Sequence, residues 1–272
     1  MSSEASAGGV MTIDVSNLLT SIVIWHGDTP THHFQAGTDP RRTVDECALL
    51  IERWLRSVGV TPGALDGAAI ACVVPVLGGI TAEACERVLG RQPLVIGPGM
   101  RTGVAIRTDD PREVGADRIA NAVAARERFG APVIIVDFAT ALSIDVVNAE
   151  GHYVGAIIAP GIEVAAEALE RRTAQLGRIP LAAPPHVIGD STSHGLQSGL
   201  VLGHAAMVDG LVARVQAEWG PAAVVATGES GAAPEIVRLC ASIDHFDPLL
   251  TLDGLSRLFR GWIERPPQVR RS

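Results

Sequence analysis

The segment Gly115-Ala116-Asp117-Arg118 places an aspartate directly before an arginine at the start of a helical pattern. The small residues Gly115 and Ala116 allow another group to approach closely, and the helix dipole favours the ionised form of Asp117 in the first turn. Arg118 could form a forked pair of hydrogen bonds with a carboxylate. Together these side chains could act as a proton acceptor and an anchor for a small hydroxylated acid. Helix capping with a surface ion pair is the alternative.

A second polar segment, Asp14-Val15-Ser16-Asn17, lies where a predicted strand turns. Such a turn can direct backbone N–H groups at phosphate oxygens, while a carboxylate holds Mg²⁺ through water. Asn17 could donate its side-chain amide to a phosphate. The alternative is a turn in which Asp14 and Asn17 bond to their own backbone.

The segment around Asp14 has a counterpart around Asp137. Each copy has an apolar strand ending in an aspartate, a short turn of small residues and a second strand. An alignment without gaps of IDVSNLLTSIV and VDFATALSIDV matches Asp14 with Asp137, Ser16 with Ala139, and Asn17 with Thr140. Two such units meeting at a phosphate are the plan of the actin-like, sugar kinase and acetate kinase fold, in which the nucleotide lies between duplicated domains. Two unrelated β-hairpins are the alternative.

The elements that must position these residues alternate between apolar runs and helical patterns, which is typical of an α/β protein. Strands are predicted at residues 11–15, 21–25, 67–74, 93–96, 133–137, 142–148 and 222–226. Helices are predicted at residues 44–57, 80–89, 118–129, 197–218 and 252–262.

Composition excludes several classes of function. The 272 residues carry a net charge of −8, and 47% are hydrophobic against 19% charged, as in a globular protein with a large core. No basic run is longer than an arginine pair such as Arg270-Arg271, so no nucleic-acid partner is expected. No apolar stretch approaches the length of about 20 residues needed to span a bilayer, so no membrane association is expected. The four cysteines show no metal-binding spacing.

Residues 1–10 are small and polar and lack both the basic region and the apolar core of a signal peptide. We expect a disordered leader over 1–10, with ordered chain from Met11. A cytoplasmic location follows from this expectation and from the unpaired pattern of the cysteines.

From about Thr12 to Phe259 the chain resembles the type III pantothenate kinases. The motifs that carry the resemblance lie, in order, at residues 14–18, 115–118, 137–141, 155–161, 188–192, 197–199, 208–211, 226–228 and 250–255. The resemblance implies two tandem ribonuclease H-like (actin-like ATPase) domains with the nucleotide cleft between them. We place the first domain at residues 11–112 and the second at 113–272, with the closing helix able to pack back on the first.

The resemblance also implies an activity: ATP-dependent phosphorylation of the primary hydroxyl of pantothenate, the first step of coenzyme A biosynthesis. Asp117 would be the catalytic proton acceptor. The implied substrate-binding residues are Thr108, Gly115, Ala116, Asp117, Arg118 and Thr192, and the resemblance implies a homodimer in which Thr192 serves the neighbouring subunit. The implied ATP-binding residues are Asp14, Val15, Ser16, Asn17, Leu18, Leu19, Thr20, Ser21, Thr140, Thr227 and Gly228. Asp137 would bind a monovalent cation (K⁺ or NH₄⁺), and Asp14 would hold Mg²⁺ through water.

Several positions depart from the family pattern. Ser16 and Ala139 stand where glycine is usual, and each would strain the backbone if its turn requires a positive φ. Leu18 replaces a threonine, Glu229 replaces a glycine, and Thr108 replaces a tyrosine that contacts the substrate. Two alternatives to pantothenate kinase activity therefore stay open: a kinase for another small hydroxylated substrate, and an inactive homologue that senses a ligand or regulates a partner.

Overall fold

The computed structural model describes residues 8–97, 99–173 and 176–264. These residues fall into two compact units. Unit 1 takes the described residues among 1–103, 110–124 and 250–272, and unit 2 takes those among 104–109 and 125–249. This grouping differs from a single division after residue 112. The assignment changes four times along the chain, because residues 104–109 belong to unit 2 and the closing helix belongs to unit 1.

The strands are β1 (Gly9–Val15), β2 (Leu19–His26), β3 (Thr29–Gly37), β4 (Leu65–Cys72), β5 (Leu94–Val95), β6 (Ala105–Ile106), β7 (Val133–Phe138), β8 (Ala141–Val147), β9 (His152–Pro160), β10 (Ala223–Thr227) and β11 (His245–Phe246). The helices are α1 (Val44–Ser57), α2 (Pro75–Leu89), α3 (Ala116–Phe129), α4 (Ile162–Arg172), α5 (Thr192–Gln197), α6 (Gly203–Trp219), α7 (Ala233–Leu239) and α8 (Leu250–Glu264). A π-helical segment, Ser198–Leu202, joins α5 to α6.

Unit 1 contains a five-stranded sheet in the order β3-β2-β1-β4-β5. The β1–β2 and β2–β3 pairs are antiparallel, whereas β1–β4 and β4–β5 are parallel. The strand β1 is apolar and almost wholly buried, as expected of a central strand covered on both faces. Helix α1 has the predicted bounds, and it begins at a capping box in which Thr43 and Glu46 bond to each other's backbone N–H.

Unit 2 repeats this topology. Its six-stranded sheet has the order β11-β10-β7-β8-β9-β6, so β9-β8-β7-β10-β11 corresponds to β3-β2-β1-β4-β5 in both order and direction. A pair of unrelated hairpins would not share their neighbouring strands in this way. The duplication predicted from the aspartate segments is therefore confirmed.

The register corrects one detail of that duplication. Asp14 lies opposite Ser21, and Asp137 lies opposite Ser143. The alignment without gaps had instead matched Thr20 with Ser143. The turn after β1 is thus one residue longer than the turn after β7, and the structural equivalent of Ser143 is Ser21.

Helix α8 packs within unit 1 through glycines that permit close contact. A Cβ atom on Gly254 would lie 2.0 Å from the backbone oxygen of Ala120, and one on Gly67 would lie 2.5 Å from the Phe259 ring. The closing helix therefore lies directly against α3 and β4, and larger side chains at these glycines would clash with it.

Two expectations from the sequence change. Gly9 and Val10 are part of β1, and Val10 pairs with Trp25, so the described chain is ordered before Met11; residues 1–7 lie outside the described residues.

The continuous helical stretch Thr192–Trp219 is also, by length and composition, apolar enough to cross a membrane. Val208 and Val212 of this stretch are fully buried in the unit 2 core. Core helices of soluble proteins pass the same test, so the stretch is weak evidence for a membrane span.

Candidate active site

The first candidate loop is the turn between β1 and β2. Ser16 closes the turn, since its N–H donates to Leu19 O at 3.0 Å, and its Oγ donates to Asp14 Oδ2 at 3.2 Å. Asn17 and Leu18 are exposed at the tip, where Leu18 retains 50% of its accessible surface. This loop presents a carboxylate, a side-chain amide and an apolar side chain.

The other residues predicted to line the phosphates are engaged within the sheet. Thr20 Oγ1 lies 2.9 Å from Thr38 Oγ1, and Ser21 Oγ accepts a hydrogen bond from Gln35 Nε2 at 3.2 Å. The side chain of Val15 belongs to the unit 1 core. Among the predicted loop residues, Asn17 and Leu18 are therefore the ones whose side chains are most available to a ligand.

The strain expected at Ser16 and Ala139 is not found. Every positive φ among the described residues belongs to a glycine. Both turns therefore form with a negative φ at these positions, and neither side chain carries the backbone cost that a left-handed conformation would impose.

The Gly115–Arg118 segment forms the entry to α3, whose first backbone bond runs from Ile119 N to Gly115 O at 3.1 Å. The Asp117 carboxylate folds back onto Gly115. A Cβ atom added to Gly115 would lie only 2.3 Å from Asp117 Oδ1. Glycine at this position thus permits the observed placement of the carboxylate. Arg118 follows it and is partly buried.

Val73 connects this segment to the first loop. Its N–H donates to Val15 O at 3.1 Å, and its Cγ1 would lie 3.8 Å from a Cβ on Gly115. Unit 1 therefore brings the two segments singled out from the sequence to the same end of its sheet.

Cys72 lies at this end of β4 and donates its thiol hydrogen to Val74 O at 3.1 Å. Burial raises the pKa of the Cys72 thiol, and the negative charge of Asp14 adds to that rise. The thiol is therefore protonated at neutral pH, and it is a poor nucleophile.

Unit 2 presents a second polar cluster at the ends of β7 and β10. Asp137 lies between Ser143 of β8 and Thr227 of β10 in the sheet register. Thr140 Oγ1 is buried without a hydrogen-bond partner among the described residues, and Thr140 O accepts from Gly161 N at 3.1 Å. A buried hydroxyl of this kind is suited to a ligand contact, because leaving it unsatisfied is costly.

The loop after β10 lies against the end of β7. Gly228 has a φ of +132°, and a Cβ there would lie 2.2 Å from Phe138 O. Ser230 N donates to the same oxygen at 3.0 Å. Gly228 is therefore required by both its conformation and its contact.

Glu163, in the first turn of α4, was not predicted from the sequence. Its Oε1 accepts a hydrogen bond from Ser230 Oγ at 2.5 Å, and it lines a cavity of about 840 Å³ within unit 2. A glutamate at a helix start is common because it interacts favourably with the helix dipole, so the residue type alone does not indicate this contact.

The remaining substrate-binding predictions fall in unit 2. Thr108 Oγ1 is buried and has no hydrogen-bond partner among the described residues, whereas Thr192 is exposed at the start of α5. The exposed side chains of Val187 and Ile188 precede Thr192.

Within the described residues, no group of three or more His, Cys, Asp or Glu side chains could hold a metal ion. A divalent ion at Asp14 would thus need substrate phosphates among its ligands, which is the usual mode for Mg²⁺. Asp137 has hydroxyl side chains opposite it on both neighbouring strands, and oxygen ligands of this kind fit a hard cation.

Solved structures with similar folds support the actin-like assignment. An activator of the 2-hydroxyisocaproyl-CoA dehydratase from Clostridium difficile, with bound ADPNP, superposes with a TM-score of 0.53 at 10% identity, covering 96% of this chain and 99% of the other. Component A of the (R)-2-hydroxyglutaryl-CoA dehydratase from Acidaminococcus fermentans superposes with a TM-score of 0.52 at 12% identity, covering 93% of this chain and 97% of the other. At these identities the likeness establishes the fold alone.

Sequence comparison identifies the family. A family profile described as type III pantothenate kinase matches residues 10–214. Type III pantothenate kinase 2 of Symbiobacterium thermophilum is 43% identical over 254 residues, covering 92% of this chain and 96% of the relative. The type III pantothenate kinase of Myxococcus xanthus is 42% identical over 251 residues, covering 92% of this chain and 97% of the relative. The chain therefore belongs to the type III pantothenate kinase family.

Proposed function

We propose that this protein transfers the γ-phosphoryl group of ATP to the primary hydroxyl of pantothenate, the first step of coenzyme A biosynthesis. Family membership supports the proposal. The observation that carries it is the placement of the intact Gly115–Arg118 segment at the same end of the unit 1 sheet as Asp14, through Val73.

Asp117 would accept the proton of the substrate hydroxyl as its oxygen bonds to the γ-phosphorus. The bond from that phosphorus to the bridging oxygen then breaks, and ADP leaves. Gly115, Ala116 and Arg118 would hold the substrate, with Arg118 pairing with its carboxylate. Positioning and charge stabilisation supply nearly all the catalysis in such transfers.

Asp14 and Asn17 would contact the ATP phosphates, and Thr140, Thr227 and Gly228 are further residues proposed to bind ATP. Asp14 would hold Mg²⁺ through water, and Mg²⁺ would neutralise charge on the phosphates. Asp137 would bind K⁺ or NH₄⁺. We also propose a soluble, cytoplasmic homodimer in which Thr192 serves the substrate.

The test is turnover in a coupled assay that follows ADP formation with Mg²⁺-ATP, K⁺ and pantothenate. We expect activity in the natural protein and its loss in Asp117→Asn, because the amide cannot accept the proton at neutral pH. Glu113→Gln is the matched control, since Glu113 is an exposed acid in the preceding turn and has no assigned role.

A natural protein that forms no ADP at high concentration would contradict the proposal. An Asp117→Asn protein with full activity and an unchanged thermal midpoint would contradict the role of Asp117 alone. Thr108 Oγ1 is buried and has no hydrogen-bond partner in the part of the chain that the structure describes. It favours one second candidate, a different hydroxylated acceptor that bonds to this hydroxyl. A panel of small alcohols and polyols in the same assay tests that candidate.

A further inference from the structure

The sequence contains no lysine, so all 22 of its lysine-plus-arginine positions are arginines. A bound polyphosphate needs positive charge close to it, and lysine is a common source of that charge in nucleotide-binding proteins. In this chain, an arginine must provide whatever part of the charge comes from a permanently charged side chain.

Most arginines of unit 1 are already engaged elsewhere. Carboxylates form ion pairs with Arg41, Arg56, Arg87, Arg112, Arg257 and Arg260. Arg91 donates to Asp66 O at the start of β4, which is the opposite end of the sheet from the turn between β1 and β2. These side chains are therefore poor candidates for a contact with phosphates at that turn.

Arg42 lies beside the turn between β1 and β2. Its Nη2 donates to Gly37 O at 3.1 Å, and Gly37 is the residue of β3 that pairs with Leu19. The next residue, Thr38, donates its N–H to Leu18 O at 2.9 Å. The guanidinium is therefore bonded to the backbone segment that holds this turn in place.

A shared pocket also places the Arg42 side chain near residues predicted to bind ATP. Arg42 lines a small pocket of unit 1 together with Val15 and Thr20. Arg42 itself is half-buried. It lies outside every motif that carries the family resemblance, so the motifs alone do not identify it.

No carboxylate of the described residues forms an ion pair with Arg42. The two acidic residues nearest to it in sequence have other partners. Asp39 accepts from the Arg41 side chain at 3.2 Å, and Glu46 accepts from Thr43 N at 2.8 Å. The planar fork of Arg42 is thus available to a phosphate, which it can bind through two parallel hydrogen bonds.

We infer that Arg42 binds the polyphosphate of ATP, as the side-chain cation beside the turn that carries Asp14 and Asn17. The inference rests on the proposed function for the identity of the ligand. It adds a positively charged contact to a site whose other proposed side chains in unit 1 are neutral or acidic.

The test is calorimetric titration of the full chain with Mg²⁺-ATP without pantothenate, so that no acceptor is present. We expect the Kd for ATP to rise about tenfold in Arg42→Gln, because a charged, forked contact is lost. Arg42→Lys keeps the charge without the fork, and we expect a rise of about threefold. Arg41→Gln is the matched control, since Arg41 is the exposed neighbour that pairs with Asp39, and its Kd should be unchanged.

Titrations at two ionic strengths separate a contact with phosphate from a structural role. Added salt screens the attraction between a guanidinium and a phosphate. The Kd of the natural protein should therefore rise more steeply with salt than the Kd of Arg42→Gln. If Arg42 only tethered Gly37, its loss would weaken binding by the same factor at both ionic strengths.

An Arg42→Gln protein with the natural Kd would overturn the inference, as would a natural protein that does not bind Mg²⁺-ATP. Arg42→Lys and Arg42→Gln proteins that are equally weak, with the natural salt dependence in both, would also overturn it. Should Arg42→Gln not fold, Arg42→Lys decides, and an unchanged Kd then counts against the inference. The expected changes in Kd together with no ADP formation from pantothenate would contradict the proposed function alone.

Discussion

Leu18 is the departure in the first loop that the structure makes most consequential. It is half exposed at the tip, beside Asn17, and no part of it belongs to the unit 1 core. Ser16, by contrast, has a negative φ and bonds to Asp14, so replacing it with glycine relieves no strain. We therefore expect the missing hydroxyl at position 18, and not the missing glycine at position 16, to limit ATP binding.

We predict that Leu18→Thr lowers the KM for ATP by about two- to tenfold, the worth of one net hydrogen bond of about 0.5–1.5 kcal/mol. Leu18→Val is the matched control, since valine has the shape of threonine without its hydroxyl. Steady-state kinetics at saturating pantothenate measures both. Equal KM values for the two variants would mean that residue 18 makes no polar contact with ATP.

Among single residues, Asp14, Asp137 and the Gly115–Arg118 segment could be identified from the sequence. The order of these residue types along the chain forms a recognisable motif by itself. The pairing of Glu163 with Ser230 could not be identified in this way. That contact depends on which residues the fold brings together, because Ser230 and Glu163 are separated by 67 positions.

At the scale of elements, helix α1 could be predicted to the residue because an amphipathic pattern and a capping box define it locally. Strand β3 was not predicted. It lies at the sheet edge with an exposed face and carries Pro30 and two histidines, so it lacks the apolar run that marked the central strands. Strand β9 was not predicted either, because Gly155 interrupts its pattern.

The contact between the loop after β10 and the end of β7 gives a prediction at this scale. Gly228→Ala should lower the free energy of unfolding by about 2–4 kcal/mol, from the positive φ and the overlap with Phe138 O together. Gly231→Ala is the control, because a Cβ there meets nothing within 4 Å and its φ is not positive. Urea unfolding measures both.

Equal stabilities of Gly228→Ala and Gly231→Ala would show that the loop can move away from β7 at little cost. The loop would then not be fixed by Phe138, and Thr227 and Gly228 could not be treated as a preorganised contact for ATP.

At the scale of the whole molecule, the sequence indicated the duplicated plan but not the path of the chain through it. A division after residue 112 assumes that each unit is one continuous segment. The order of elements does not reveal that residues 104–109 add strand β6 to the edge of the unit 2 sheet. Strand β6 pairs with β9, whose residues are far from it in sequence.

The proposed homodimer yields a prediction that needs the whole assembly. Thr192 is exposed, as a residue serving another subunit would be. If Thr192 of one subunit completes the site of the other, a heterodimer of Asp117→Asn and Thr192→Ala subunits has one site with both lesions and one with neither. We expect each variant alone to be impaired, at low pantothenate, and the heterodimer purified through two different tags to recover about half of the natural rate. If Thr192 serves its own subunit, both sites carry a lesion and the heterodimer stays impaired at low pantothenate. A chain that light scattering shows to be monomeric, or a Thr192→Ala protein with an unchanged KM for pantothenate, would also contradict a site shared between subunits.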